Sequence, residues 1–156
     1  MKHFTTLKTL AILVAALPSP LFAQIPESVM VVEAHSGKIL VANNASAKRP
    51  VASLTKIALA AVTVDWATAT STDLGATQIT VPQTITLVGG PNPMNLQPGD
   101  QLSLRDALYS ALLGSDNLAA LTIADHVGRE ILTRRGKSDD PVAAFVGEMN
   151  QLGKAL

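Results

Sequence analysis

The chain has 156 residues, with 12 lysines and arginines, 12 aspartates and glutamates, and a formal net charge of zero at pH 7. That length suits one domain with a real core, and the balanced charge leaves no basic stripe to indicate a nucleic-acid partner. The absence of cysteine excludes disulfides and thiolate metal ligands, and the three histidines, His3, His35 and His126, are too scattered to indicate zinc. We therefore expect no metal and no cofactor.

Residues 1–23 have the three parts of a secretory signal peptide. Two lysines near the start precede the apolar stretch Leu10–Leu17, and a proline-containing region then leads to Ala23. The pattern predicts export and cleavage after Ala23, which leaves residues 24–156 as the mature chain. An uncleaved membrane anchor is the alternative, but the apolar stretch is shorter than the roughly 20 residues that a spanning helix needs.

Short runs rich in β-branched residues predict four strands in the mature chain. In chain order they are Val29–Glu33, Lys38–Ala42, Gln78–Val81 and Thr84–Val88. The first two are separated by a turn that contains Gly37, which indicates a β-hairpin. The rest of 68–101 is rich in threonine, glycine, proline and asparagine, so we expect loops around the later strands.

Apolar side chains spaced three or four residues apart predict four helices. They cover residues 52–65, 103–114, 116–128 and 139–152. Ser103 is the expected N-cap of the second helix, with Asp106 as its capping-box partner and Gly114 as its end. Gly128 is expected to end the third helix, and Pro141 to lie in the first turn of the fourth.

A serine and a lysine stand three residues apart at the start of the first helix, in the sequence Ser53-Leu54-Thr55-Lys56. This spacing puts the hydroxyl and the amine on one helix face, one turn apart. A serine hydroxyl needs a neighbouring base to act as a nucleophile, and the apolar surroundings favour an amine that can accept a proton. The alternative makes Ser53 an N-cap and Lys56 a solvated residue, although a basic residue in the first turn opposes the helix dipole.

A second motif, Ser115-Asp116-Asn117, falls on the connection between the second and third helices. Alone it is weak, because these residue types are also the usual ones at helix starts and turns. Paired with a serine and lysine in S-x-x-K spacing it is far more specific, because the two motifs belong to the signature of penicillin-binding proteins and class A β-lactamases.

The chain resembles the low-molecular-mass serine D-alanyl-D-alanine carboxypeptidases over residues 28–156. Ala52–Lys56 is similar to the nucleophile motif of that family. The further points of similarity, in chain order, are the hairpin turn Ser36–Lys38, Leu96–Asp100, Leu112–Asn117 and Phe145–Gly153. The resemblance implies a partial α/β fold of the penicillin-binding-protein and β-lactamase type, with one sheet hairpin and a helical subdomain, in the periplasm or cell envelope.

The resemblance also implies roles for four residues. Ser53 would attack the bond between two D-alanines and form an acyl-enzyme, Lys56 would take its proton, Ser115 would relay a proton to the leaving amine, and Asn117 would bind the substrate amide. The implied partners are peptidoglycan stem peptides, with β-lactams as acylating inhibitors. Asp116 and the residue after Asn117 depart from the family pattern, slightly toward that of the β-lactamases.

One family motif has no counterpart, because neither Lys-Thr-Gly nor His-Thr-Gly occurs in the sequence. We therefore expect an N-terminal fragment of the catalytic domain, and any peripheral membrane association would involve a C-terminal region that this sequence lacks. Two other functions stay open. A class A-like β-lactamase needs a glutamate to activate the deacylating water, for which Glu130 and Glu148 are the candidates, and a truncated homologue would bind peptidoglycan without turnover.

Overall fold

The computed structural model describes residues 27–84 and 89–155. The predicted signal peptide at 1–23, its cleavage site and most of the predicted strand at 84–88 lie outside the described residues. Across the described ranges, no helix combines the length and the apolar character needed to cross a membrane.

The predicted hairpin is confirmed, within a compact unit that ends at Arg49. Strand β1 (Val29–Val32) pairs antiparallel with β2 (Ile39–Asn43), and the register shifts after Val31. Six large apolar side chains on both strands have exposed fractions of 43% to 56%: Met30, Val31, Val32, Ile39, Leu40 and Val41. Because neighbouring residues of a strand point to opposite faces, both faces of this hairpin are apolar, as in strands that are covered on both sides.

A second compact unit begins at Pro50 and is mainly helical. Its helices are α1 (Thr55–Thr70), α2 (Leu104–Leu113), α3 (Asn117–Arg134) and α4 (Pro141–Ala155). Its strands, β3 (Gln78–Thr80) and β4 (Gln101–Ser103), form an antiparallel pair. The sequence did not predict β4, because a single buried leucine between polar residues gives no strand pattern until it is paired.

The core of the second unit is built around α3. Ala119, Ile123 and Val127 of this helix are fully buried, as is Phe145 of α4. Helices α1, α2 and α4 all contact α3. The central helix is therefore held on several sides, and its N-terminal end, where the second motif lies, is fixed relative to the start of α1.

The predicted helix boundaries are mostly confirmed. The Ser103 hydroxyl accepts the backbone N–H of Asp106 at 3.0 Å, and Gly114 ends α2. Pro141 is the first residue of α4, with the preceding Asp140 carboxylate accepting backbone N–H groups of the first turn.

The predicted end of the third helix at Gly128 is wrong, because α3 continues to Arg134. Gly128 lies where α3 meets the start of α4, and a Cβ atom at this position would overlap the backbone carbonyl of Pro141. The glycine permits a close approach of two helices here, which is a packing role that a helix-ending glycine does not have.

Candidate active site

Ser53 and Lys56 lie on successive turns at the start of the first long helix. Ser53 is in a short 3₁₀ turn, Ala52–Leu54, that leads directly into α1, and Lys56 is in the first turn of α1. The Lys56 ammonium donates a hydrogen bond to Ser53 Oγ at 3.3 Å. Neither helix start has a side-chain capping bond, and only 8% of Lys56 is exposed, so the alternative of a capping serine and a solvated lysine is not what the fold contains.

Ser115 lies in the turn between α2 and α3, opposite Ser53. Its backbone is in the left-handed region, with φ of +55°, which is uncommon for a residue with a side chain. The two hydroxyl oxygens, Ser53 Oγ and Ser115 Oγ, are 2.6 Å apart, and either hydroxyl can be the donor. Residues separated by 62 positions in the chain are thus in direct contact.

The buried side chain of Asp116 holds this turn in place through hydrogen bonds. Its side chain is fully buried and accepts the backbone N–H groups of Leu118 and Ala119 at 2.9 and 3.0 Å, which makes Asp116 the N-cap of α3. Its second carboxylate oxygen accepts the Ser110 hydroxyl at 2.8 Å. One carboxylate therefore ties the last turn of α2 to the first turn of α3, and Ser115 lies on the short segment between them.

Lys56 uses all three of its N–H donors within the site. Besides Ser53 it donates to Ser115 Oγ at 3.2 Å and to Asn117 Oδ1 at 2.8 Å. Among the described residues, none of the ion pairs involves Lys56. Within the described part of the chain, the amine is therefore bonded only to neutral groups, two of which are hydroxyls that can exchange protons with it.

The amide oxygen of Asn117 determines how the N–H groups and the lone pair of Lys56 are directed. It can only accept, so it takes one N–H of the amine whether Lys56 is protonated or neutral. When Lys56 is neutral, its lone pair is then left for the side on which the Ser53 and Ser115 hydroxyls lie. In that neutral form the amine lies against the Ser53 hydroxyl, which is the geometry that general-base catalysis requires.

A cavity of about 420 Å³ opens beside Ser53, Lys56 and Asn117. Its walls come from both motifs and from apolar side chains of α3 and α4, namely Ala120, Leu121, Ala124, Val142 and Val146. These apolar residues lie outside both sequence motifs, although for those of α3 the spacing of three and four after Asn117 was an available signal. The cavity is large enough to hold a small peptide segment against Ser53.

The two glutamates considered for water activation lie elsewhere. Neither Glu130 nor Glu148 is among the residues that line the Ser53 cavity in the described parts of the chain. Glu148 pairs with Arg135 at 2.9 Å and borders a separate cavity. The described residues also contain no cluster of three metal-ligating side chains.

Several solved structures have a fold similar to the arrangement of helices and strands described above. The D-alanyl-D-alanine carboxypeptidase DacD from Francisella tularensis matches with a TM-score of 0.60 at 22% identity, over 98% of this chain and 34% of its own. Penicillin binding protein 6B from Escherichia coli matches with a TM-score of 0.60 at 26% identity, over 88% of this chain and 42% of its own. An acyl-enzyme complex of a PBP-A variant with penicillin G matches with a TM-score of 0.54 at 16% identity, over 72% and 45%. The fold is a partial penicillin-binding-protein fold of the mixed α/β type.

The family follows from the sequence match. Residues 18–156 match the D-alanyl-D-alanine carboxypeptidase family, and the chain belongs to it. No curated protein sequence matches the chain significantly. The chain spans 34% to 45% of the length of the solved relatives described above.

Proposed function

We propose that the protein is a serine peptidase that removes the terminal D-alanine from peptidoglycan stem peptides through an acyl-enzyme on Ser53. The observation that carries the proposal is the position of Lys56 Nζ, 3.3 Å from Ser53 Oγ and 3.2 Å from Ser115 Oγ. One amine thus reaches both the nucleophile and the hydroxyl that would pass a proton onward. Membership of the carboxypeptidase family supports the same reaction.

Acylation begins when Ser53 Oγ attacks the carbonyl carbon between the two D-alanines while its proton passes to Lys56. The tetrahedral intermediate collapses as the carbon–nitrogen bond to the terminal D-alanine breaks. Ser115 gives its proton to the leaving nitrogen and regains one from Lys56. The products of this step are free D-alanine and an ester on Ser53, with Asn117 holding the substrate amide in place.

Hydrolysis of the ester by water returns Ser53 to its free form and releases the shortened peptide. A β-lactam would acylate Ser53 by the same attack, but its ring nitrogen stays attached to the acyl group after ring opening. We therefore propose that β-lactams are slowly released inhibitors. The alternative hypothesis of a β-lactamase requires a glutamate beside the ester. Glu148 instead forms an ion pair with Arg135, so its position does not support that hypothesis.

The cell envelope is the proposed location, with the periplasm as the compartment where stem peptides are met. The signal-like pattern of residues 1–23 supports export, with Gln24 as the first mature residue. N-terminal sequencing of the secreted protein tests this directly, and a mature protein that starts at Met1 would contradict it.

The decisive experiment compares the full natural protein with two serine variants. Fluorescent-penicillin labelling and D-alanine release from a pentapeptide ending in D-alanyl-D-alanine are measured for each. Ser53→Ala should lose both signals, whereas Ser138→Ala, an exposed serine of the α3–α4 connection, should keep both. Labelling with rapid release of the β-lactam would favour a β-lactamase, and a parental protein with neither signal would favour a non-catalytic binder.

A further inference from the structure

A loop before β4 is attached to the second motif by its backbone. The Asn117 side-chain NH₂ donates to the carbonyl of Gly89 at 2.8 Å, and the Asn117 backbone N–H donates to the carbonyl of Pro91 at 2.9 Å. The loop is closed by Asn92, whose side chain bonds both the N–H and the carbonyl of Leu96. The carbonyls of Gly89 and Pro91 therefore both accept N–H groups of Asn117.

These contacts fix which way the Asn117 carboxamide points. When Lys56 is protonated, the Asn117 oxygen faces an ammonium, which can only donate, and in either form of Lys56 the NH₂ faces the Gly89 carbonyl, which can only accept. The flipped amide would set NH₂ against the ammonium and oxygen against oxygen, and both contacts would be lost. Lys56 and Gly89 thus select the same orientation, and one N–H of Asn117 is left for a substrate carbonyl.

Gly90 makes this arrangement possible. Its φ of +107° lies in the region that favours glycine, and a Cβ atom on it would overlap the Asn117 side-chain nitrogen. Gly99 offers a matched comparison within the same unit. It has a similar φ of +94°, but among the residues that the structure describes a Cβ there would meet nothing closer than 3.8 Å.

We propose that the segment Gly89–Pro91 is a positioning element that sets the orientation of the Asn117 carboxamide, and that Gly90 is the residue on which it depends. Only the expected change in the acylation rate rests on the proposed function. A carboxamide displaced from Gly89 no longer directs its oxygen to Lys56 or its free N–H to the substrate. The chemical step should therefore slow, because small errors in the position of a catalytic group cost rate steeply.

The first test measures penicillin acylation of the full natural protein and separates the binding constant from the acylation rate constant. Gly90→Ala should lower the acylation rate constant by about 10- to 100-fold, whereas Gly99→Ala, with a similar positive φ, should stay near the parental rate. In an Asn117→Ala background, Gly90→Ala should add no further loss, because there is no carboxamide left to orient. Equal losses in both glycine variants, or a full further loss in that background, would overturn the proposal.

A second measurement does not depend on activity. Nitrogen-15 labelling of asparagine allows the side-chain NH₂ of Asn117 to be followed by NMR, with Asn117→Ala identifying its signal. The hydrogen-bonded proton should be protected from exchange in the parental protein and in Gly99→Ala, and should lose protection in Gly90→Ala. Protection that survives in Gly90→Ala overturns the proposal, even if penicillin labels none of these proteins and the proposed function fails.

Discussion

Replacing Asp116 with alanine is the sharpest perturbation of the turn that carries Ser115. The fully buried carboxylate accepts two backbone N–H groups at the start of α3 and the Ser110 hydroxyl. Asp116→Ala removes the N-cap and also leaves the Ser110 hydroxyl buried without this partner. Both losses fall on the segment that places Ser115 against Ser53.

The two losses give the expected magnitude. An N-cap is worth about 1 kcal/mol, and a buried hydroxyl left unpaired costs about 1–3 kcal/mol. Asp116→Ala should therefore lower the free energy of unfolding by about 2–4 kcal/mol. Ser110→Ala alone should cost about 1.5–3 kcal/mol, because it leaves one oxygen of the buried Asp116 carboxylate without its partner. The double variant should be less destabilised than the sum, because the unpaired hydroxyl is then absent.

Urea denaturation of the full natural protein measures these differences, and fluorescent-penicillin labelling shows the effect on Ser53. Asp116→Asn retains a side-chain oxygen for the cap, so it should fall between the parent and Asp116→Ala in both assays. An Asp116→Ala protein within about 0.5 kcal/mol of the parent would behave like a surface substitution and would refute this account of the turn.

Four other substitutions have equally definite outcomes. Lys56→Arg should abolish acylation without unfolding the protein, since a guanidinium with a pKa above about 12 cannot accept the proton, and labelling at the parental rate would contradict a base role. Burial lowers the pKa of His126 below its ordinary 6.5, so the unfolded chain takes up the proton first as the pH falls, and stability declines below about pH 6.5. In denaturation at about pH 7.5 and about pH 5.5, His126→Gln should show a smaller decline than the parent. Gly128→Ala should destabilise the protein by about 1–3 kcal/mol because of its overlap with Pro141, whereas Gly147→Ala, with open space around it, should stabilise by about 0.5–1 kcal/mol. Melting temperatures that shift in the same direction for both glycine variants would contradict that pair.

Local chemistry made the boundaries of α2 and the start of α4 predictable. A serine cap such as Ser103, a terminal glycine such as Gly114 and a first-turn proline such as Pro141 each act within one turn of their own position. Sequence spacing alone also put Ser53 and Lys56 on one helix face, as observed. These features depend on neighbours within four residues, so a linear pattern contains them.

Features that depend on distant partners were not predictable. Gly128 looked like a helix end, but its role is set by the backbone of Pro141 across the α3–α4 contact. The hydrogen bonds between Ser110 and Asp116 and between Asn117 and the Gly89 carbonyl are likewise not predicted by any helix or strand periodicity. The family resemblance implied that four residues share a site, but not which groups hold them there.

Two backbone conformations at the serines of the site lower the stability of the fold while they hold the serine side chains in position. Ala52, next to Ser53, has φ of +46°, and Ser115 itself has φ of +55°. Such conformations cost a non-glycine residue on the order of 1–3 kcal/mol and persist only where the surroundings hold them. Glycine would remove the cost at either position, but at Ser115 it would also remove the hydroxyl that lies 2.6 Å from Ser53 Oγ. The strain at Ser115 is therefore tied to the presence of that hydroxyl, and the buried Asp116 bonds are the interactions that hold the turn in this conformation.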